Sequence, residues 1–163
     1  MKKNANEWVD SGLFKIKIND FAGAFGCFAK ATELNPQNGQ AFKNKGFAEI
    51  KQADDPFDFY DVHGYTIAMN DFEKAIQIDP DDHESYFGYA LAYFLGYPDA
   101  EDVFKYINKA IQLNPEFDSA YHLRGKIKIT SVDFKRGELD AVDVEKIMKE
   151  VMDDYNITIS LNP

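Results

Sequence analysis

Large, small and polar positions alternate along this chain in a pattern that returns four times. Counting back from Pro36, positions −5, −8 and −12 hold Ala31, Phe28 and Ala24. From Pro80 the same positions hold Ala75, Phe72 and Ala68, and from Pro115 they hold Ala110, Ile107 and Val103. Thr158, Tyr155 and Val151 keep the rhythm before Pro163 with larger residues. Forward from the first three prolines, positions +6 and +10 give Phe42 and Gly46, Tyr86 and Ala90, then Tyr121 and Gly125. Trp8 and Gly12 open the chain at the same spacing.

Residues three and four apart share one face of a helix, so each half of the pattern predicts a helix with one narrow apolar stripe. Small residues in that stripe let a neighbouring backbone approach, and large ones fill the space beside it. Gly12, Gly46 and Gly125 each cost their helix about 1 kcal/mol relative to alanine, a cost that close helix crossing offsets. The Asn-Pro or Asp-Pro that closes each unit stops the helix, because the residue before proline is pushed out of the α region. Asn38, Asp82 and Asp118 follow as N-caps of the next helix. The pattern predicts eight helices, near residues 5–18, 20–34, 39–52, 65–78, 83–95, 99–113, 118–130 and 142–160.

Trp8-x-x-x-Gly12, Ala24-x-x-x-Phe28-x-x-Ala31 and Pro36, with their counterparts in the next two units, resemble the tetratricopeptide repeat. The fourth unit matches only through Tyr121, Gly125, Tyr155 and Pro163. Ser11, Lys15, Lys45, Glu49, Arg124 and Lys128 depart from the family pattern. The resemblance implies an all-α fold, a right-handed superhelical stack of antiparallel helix pairs. Its units are approximately 5–36, 37–80, 81–115 and 116–163, in one domain. Such stacks bury each repeat on its neighbours and have no single globular core. Helix eight is then either the terminal cap of the stack or the point from which further repeats follow. The prolines are spaced 44, 35 and 48 residues apart. The excess over a unit of about 34 residues places inserts at 53–64 and 131–142, between the two helices of a unit. Phe57, Phe59 and Tyr60 in the first insert are unusual loop residues, placed to cover apolar surface or to meet a partner.

In this family the first helices of the pairs line a concave groove that holds a peptide or a partner's helix. Carried over position by position, the groove candidates are Val9 and Leu13; Lys43, Phe47 and Ile50; Phe87, Leu91 and Phe94; then His122 and Lys126. One subfamily grips a chaperone's C-terminal carboxylate with Lys and Asn in the first repeat. Val9 and Leu13 stand there instead, so that clamp is not expected. The third unit's SYFGYALAYFLGY is apolar almost all round. Its surplus is either covered by the inserts, available to a partner, or a surface for self-association.

Composition narrows this further. Fourteen Phe, nine Tyr and one Trp provide ample apolar surface for a packed interior. A net charge of −10 opposes nucleic-acid binding, which draws on Lys and Arg, and an anionic membrane surface. No apolar stretch is long enough to insert into a membrane. Cys27 is the only cysteine and no secretory signal follows Lys2 and Lys3, so a cytoplasmic location is expected. Asp54, Asp55, Asp58, Asp61 and His63 lack the alternation and fixed glycine of a calcium loop. Asp79, Asp81, Asp82 and His83 read as a helix stop followed by caps. No nucleophile, phosphate-loop or dinucleotide motif is present, and Cys27 reads as a buried inert thiol. The expectation is a module that binds a protein or peptide, without catalysis, cofactor or metal. A homo-oligomeric assembly module and a regulatory fragment of a larger protein are the alternatives.

Overall fold

The prolines and their predecessors divide the chain into helices. The computed structural model describes residues 3–53, 62–98, 102–135 and 137–162. Within them run α1 (Ala5–Lys17), α2 (Phe21–Leu34), α3 (Gly39–Ala53), α4 (Val62–Ile78), α5 (His83–Gly96), α6 (Val103–Leu113), α7 (Asp118–Phe134) and α8 (Ala141–Leu161). Among the described residues there is no strand. Each helix packs on the next in sequence, and α3 also packs on α5 and α5 on α7. Among the described residues no second helix packs comparably on another second helix, so the stack closes towards α3, α5 and α7.

The residue before each proline does more than leave the α region. Asn35 (φ −140°, ψ 91°) and Asn114 (φ −138°, ψ 92°) adopt the same extended conformation. Their side-chain oxygens, and that of Asp79, accept the backbone N–H two residues on: Gln37 at 3.1 Å, Asp81 at 3.2 Å and Glu116 at 3.1 Å. This is the Asx-turn, which only Asn and Asp make. It explains why the closing dipeptide is always Asn-Pro or Asp-Pro. The α1–α2 connection has no proline and turns at Asn19 instead, whose φ of 58° is the left-handed conformation Asn tolerates.

Caps differ from the expectation at two of three sites. Asn38 does cap α3, accepting from the Ala41 N–H at 3.0 Å. Asp82 stands at the N-cap of α5 but makes no side-chain cap bond; its carboxylate takes Ser85 Oγ at 2.6 Å and Lys43 Nζ at 3.1 Å. Asp118 is the first helical residue of α7, with Phe117 at the N-cap.

Three cores follow one another along the stack, each closing a helix pair with the first helix of the next. Val9, Ala24, Phe28 and Ala31 pack with Ala41 and Ala48 of α3. Ile50, Tyr65, Ala68 and Phe72 pack with Ala92 of α5. Val103, Ile107 and Ala110 pack with Ala120, Leu123 and Ile127 of α7. The glycines sit where the stripe required. A Cβ on Gly12 would fall 2.5 Å from the Phe28 ring, one on Gly46 2.9 Å from Phe72, and one on Gly125 2.8 Å from Tyr155. Gly26 lies outside that stripe, and a Cβ there would meet nothing within 4 Å.

Both inserts are shorter than expected. Val62, Gly64 and Tyr65 begin α4 inside the first, because Tyr65 (9% exposed) continues its apolar stripe. In the second, α7 continues to Phe134, since neither proline nor glycine interrupts it. Phe57, Phe59 and Tyr60 lie outside the described residues. So does the expected start of α6 near residue 99; the helix is described from Val103.

Candidate binding surface

The first helices α3, α5 and α7 pack side by side. The ten expected groove residues divide by burial. Val9 (6% exposed) and Ile50 (3%) are core residues, which corrects their assignment as surface contacts. Leu13 is half-buried against the first core. Phe47 meets the Phe72 ring edge-on at 4.8 Å between centroids. Phe87 packs edge-on against Phe117 at 5.0 Å, while Leu91 and Phe94 rest half-buried on the third core. His122 and Lys126 are exposed.

Lys43 is not a free cation. Its ammonium donates to Glu84 at 2.6 Å and lies 3.1 Å from an Asp82 oxygen, joining α3 to the start of α5. Burial lowers its pKa, but the Glu84 hydrogen bond and the Asp82 charge together raise it by more. The ammonium therefore stays protonated and occupied by this chain's own carboxylates.

Leu95 was not among the expected residues. It stands one turn after Leu91 on the same face of α5 and is 36% exposed. An i+4 extension of the motif would have found it. The rest of the apolar α5 is largely covered by its own unit. Tyr89 stacks on Tyr106 at 3.9 Å, and Tyr93 meets Tyr97 edge-on at 5.7 Å.

Three of the residues that depart from the family pattern, Lys45, Arg124 and Lys128, pair across the two helices of a unit. Lys45 on α3 donates to the buried Asp71 on α4 at 2.8 Å. Arg124 on α7 grips Asp154 on α8 through Nε at 3.1 and 3.2 Å, and Lys128 reaches the same carboxylate at 3.0 Å. Tyr89 and Tyr106 hold the equivalent register in the third unit. Asp154 is 2% exposed and met by two cations. Asp71 is less well served: its Oδ2 is buried without a hydrogen-bond partner. Burial, only partly opposed by Lys45, therefore raises its pKa.

A cavity of about 550 Å³ opens between α6, α7 and α8, lined by Phe104, Asn108, Arg124, Lys128 and Glu150 among others. Arg124 and Lys128 are bound to Asp154, Asn108 and Glu150, so an anion entering there would compete with bonds already made. Among the described residues no group of three His, Cys, Asp or Glu could hold a metal ion, and no helix is long and apolar enough to cross a membrane.

Solved structures resemble this arrangement over three quarters or more of its length. MamA from Desulfovibrio magneticus RS-1, residue 41 to the end, superposes with a TM-score of 0.73 at 19% identity, over 98% of this chain and 78% of that one. The first TPR of Spaghetti (RPAP3), bound to the HSP90 peptide SRMEEVD, gives 0.67 at 17% identity over 80% and 93%. The Arabidopsis OM64 TPR domain gives 0.65 at 18% over 76% and 93%. The chain has the tetratricopeptide-repeat fold. No family model and no curated protein matches the sequence. The tetratricopeptide frame is thus carried by a few residues per unit, Trp8, Gly12, Phe28, Gly46, Phe72 and Pro80 among them, on an otherwise divergent chain.

Proposed function

We propose that this chain is a protein-binding module that takes an apolar peptide or helix on the inner surface of α3, α5 and α7 and carries out no reaction. The observation that supports this most is the run Phe87, Leu91, Phe94 and Leu95. Four large apolar side chains are held half-open on one helix, in the face towards which the stack closes. Rigid aromatic and aliphatic anchors flanked by polar residues are what recognition of an amphipathic helix or extended peptide requires. Polar neighbours are present in Gln40, Glu84, His122 and Lys126.

The structurally similar RPAP3 domain is bound to a peptide ending in an acidic tail. This inner face suits a different ligand. Val9 is in the core, and Lys43 already holds Glu84 and Asp82. An acidic tail would have to displace them in a chain of net charge −10. The ligand expected is apolar and neutral to basic.

Selection of random peptides against the immobilised chain tests the reading. Enriched peptides should be rich in Leu, Phe, Trp or Tyr. They should lose about tenfold or more in affinity to Leu95→Glu, a partly exposed position, at unchanged helicity. Selected peptides that bind wild type and Leu95→Glu equally would overturn it.

A further inference from the structure

The large apolar side chains most open to solvent are not in the groove. Apart from Leu34, Phe134 and Val142, they lie at the two ends of the stack: Phe14 (62% exposed) on α1 and Ile18 (56%) at its C-cap, with Met148 (40%), Met152 (57%) and Ile159 (66%) on α8. Their spacing places each set on one face of its helix.

The repeat frame shows what these faces are. Phe14 stands two residues after Gly12. The residues two after Gly46, Ala90 and Gly125 are Ala48, Ala92 and Ile127, which are 0%, 0% and 2% exposed. All three are buried against the preceding helix pair. At the other end, Met152 holds the position of Phe25 in α2, Met69 in α4 and Phe104 in α6, each packed beneath the first helix of the following unit. Met148 holds the position of Tyr65, which meets Gly96 of α5; the α1 counterpart of Gly96 is Ile18. The two ends therefore carry the two halves of one contact, an interface that the molecule itself builds three times within one chain.

We propose that the occupant of the α8 face is α1 of a second copy of this chain, docked as a following repeat would be. The register sets Met152 against Phe14 and Met148 against Ile18. A depression of about 410 Å³, lined by Phe14, Ile18, Lys15 and Lys3 among others, is open to receive the methionines. Charge agrees: α8 carries five carboxylates, of which Glu150 and Asp154 are paired with Arg124 and Lys128, against two lysines, whereas α1 has no net charge and ends on Lys17, with Lys15 paired to Asp20. Such a head-to-tail contact has no two-fold axis to close it, so it propagates into an open superhelical filament. This assembly uses neither Leu95 nor the rest of the inner surface, so it stands or falls apart from the groove.

Sedimentation velocity over a range of concentrations tests it with wild type, Phe14→Glu, Met152→Glu and an equimolar mixture of the two variants. The expected result is a wild-type mass that grows with concentration without a ceiling, and two monomeric variants. The mixture should form a dimer and nothing larger, because each variant retains the end the other has lost. Monomeric wild type throughout would overturn the proposal, since the faces would then await something other than a second copy. Oligomers that persist in either variant would also overturn it, including a symmetrical pairing of two α8 faces, which Phe14→Glu leaves intact. Circular dichroism and melting check the fold, and Ile18→Glu with Met148→Glu repeats the experiment at neighbouring positions.

Discussion

Phe72, fully buried, is held between two glycines: Gly46 from its own unit and Gly88 from the next. A Cβ on Gly88 would overlap the Phe72 ring, which is fully buried and would have to shift. Gly88→Ala is expected to lower unfolding free energy by about 2 kcal/mol through overpacking. Gly26→Ala, in open space on α2, should raise it by about 1 kcal/mol through helix propensity alone. Urea unfolding of the two variants checks both; equal effects would contradict the packing account. Asp71 provides a second test. Its folded pKa lies above the ordinary carboxylate value because of burial. Between those two values the folded state holds the proton more tightly, so this residue's contribution to stability falls as pH rises through that window. Asp71→Asn should flatten that part of the stability profile. A variant with the wild-type slope would show that the buried carboxyl is not its source. The ring-and-glycine pairs were legible in the sequence because they recur in register. The glycine at position 88 was not, since only one unit carries it, and Gly26 looked alike in sequence while facing outward.

At the scale of elements, the helix pairs are held by devices that differ from unit to unit at one register. The second unit uses Lys45 and Asp71, the third stacks Tyr89 on Tyr106, and the fourth uses Arg124 and Lys128 on Asp154. Read one residue at a time, Lys45 and Arg124 were only departures from the family pattern. Their meaning appears when the partner across the pair is read with them, and that pairing is a fact of three dimensions. Removing one member of a buried ion pair costs more than the pair is worth. Asp154→Ala, leaving Arg124 without a carboxylate and Lys128 with Glu150 alone, should cost about 3 kcal/mol and separate α8 from α7 before the rest of the stack melts. Hydrogen exchange would show α8 losing protection first; uniform loss along the chain would contradict a unit-by-unit construction. Helix ends were well anticipated where proline fixes them. They were displaced where nothing breaks the helix, as in α7 beyond residue 130.

For the whole molecule, the sequence carries the fold more fully than the surface. A period of large and small residues determines which faces must be buried, and burial repeated at a fixed interval leaves a stack as the solution. Which of the remaining residues face a partner depends on how the helices close around one another. That is why Val9 and Ile50 went into the core, Lys43 into an ion pair, and Leu95 into view. On the proposed reading, the stack offers half-open aromatic anchors to a peptide and matching ends to further copies. Amide chemical-shift mapping of the labelled chain with a selected apolar peptide tests the central claim most directly. The account predicts shifts confined to the inner faces of α3, α5 and α7 and centred on Phe87, Leu91, Phe94 and Leu95. Shifts centred instead on the outer faces of the second helices would contradict it.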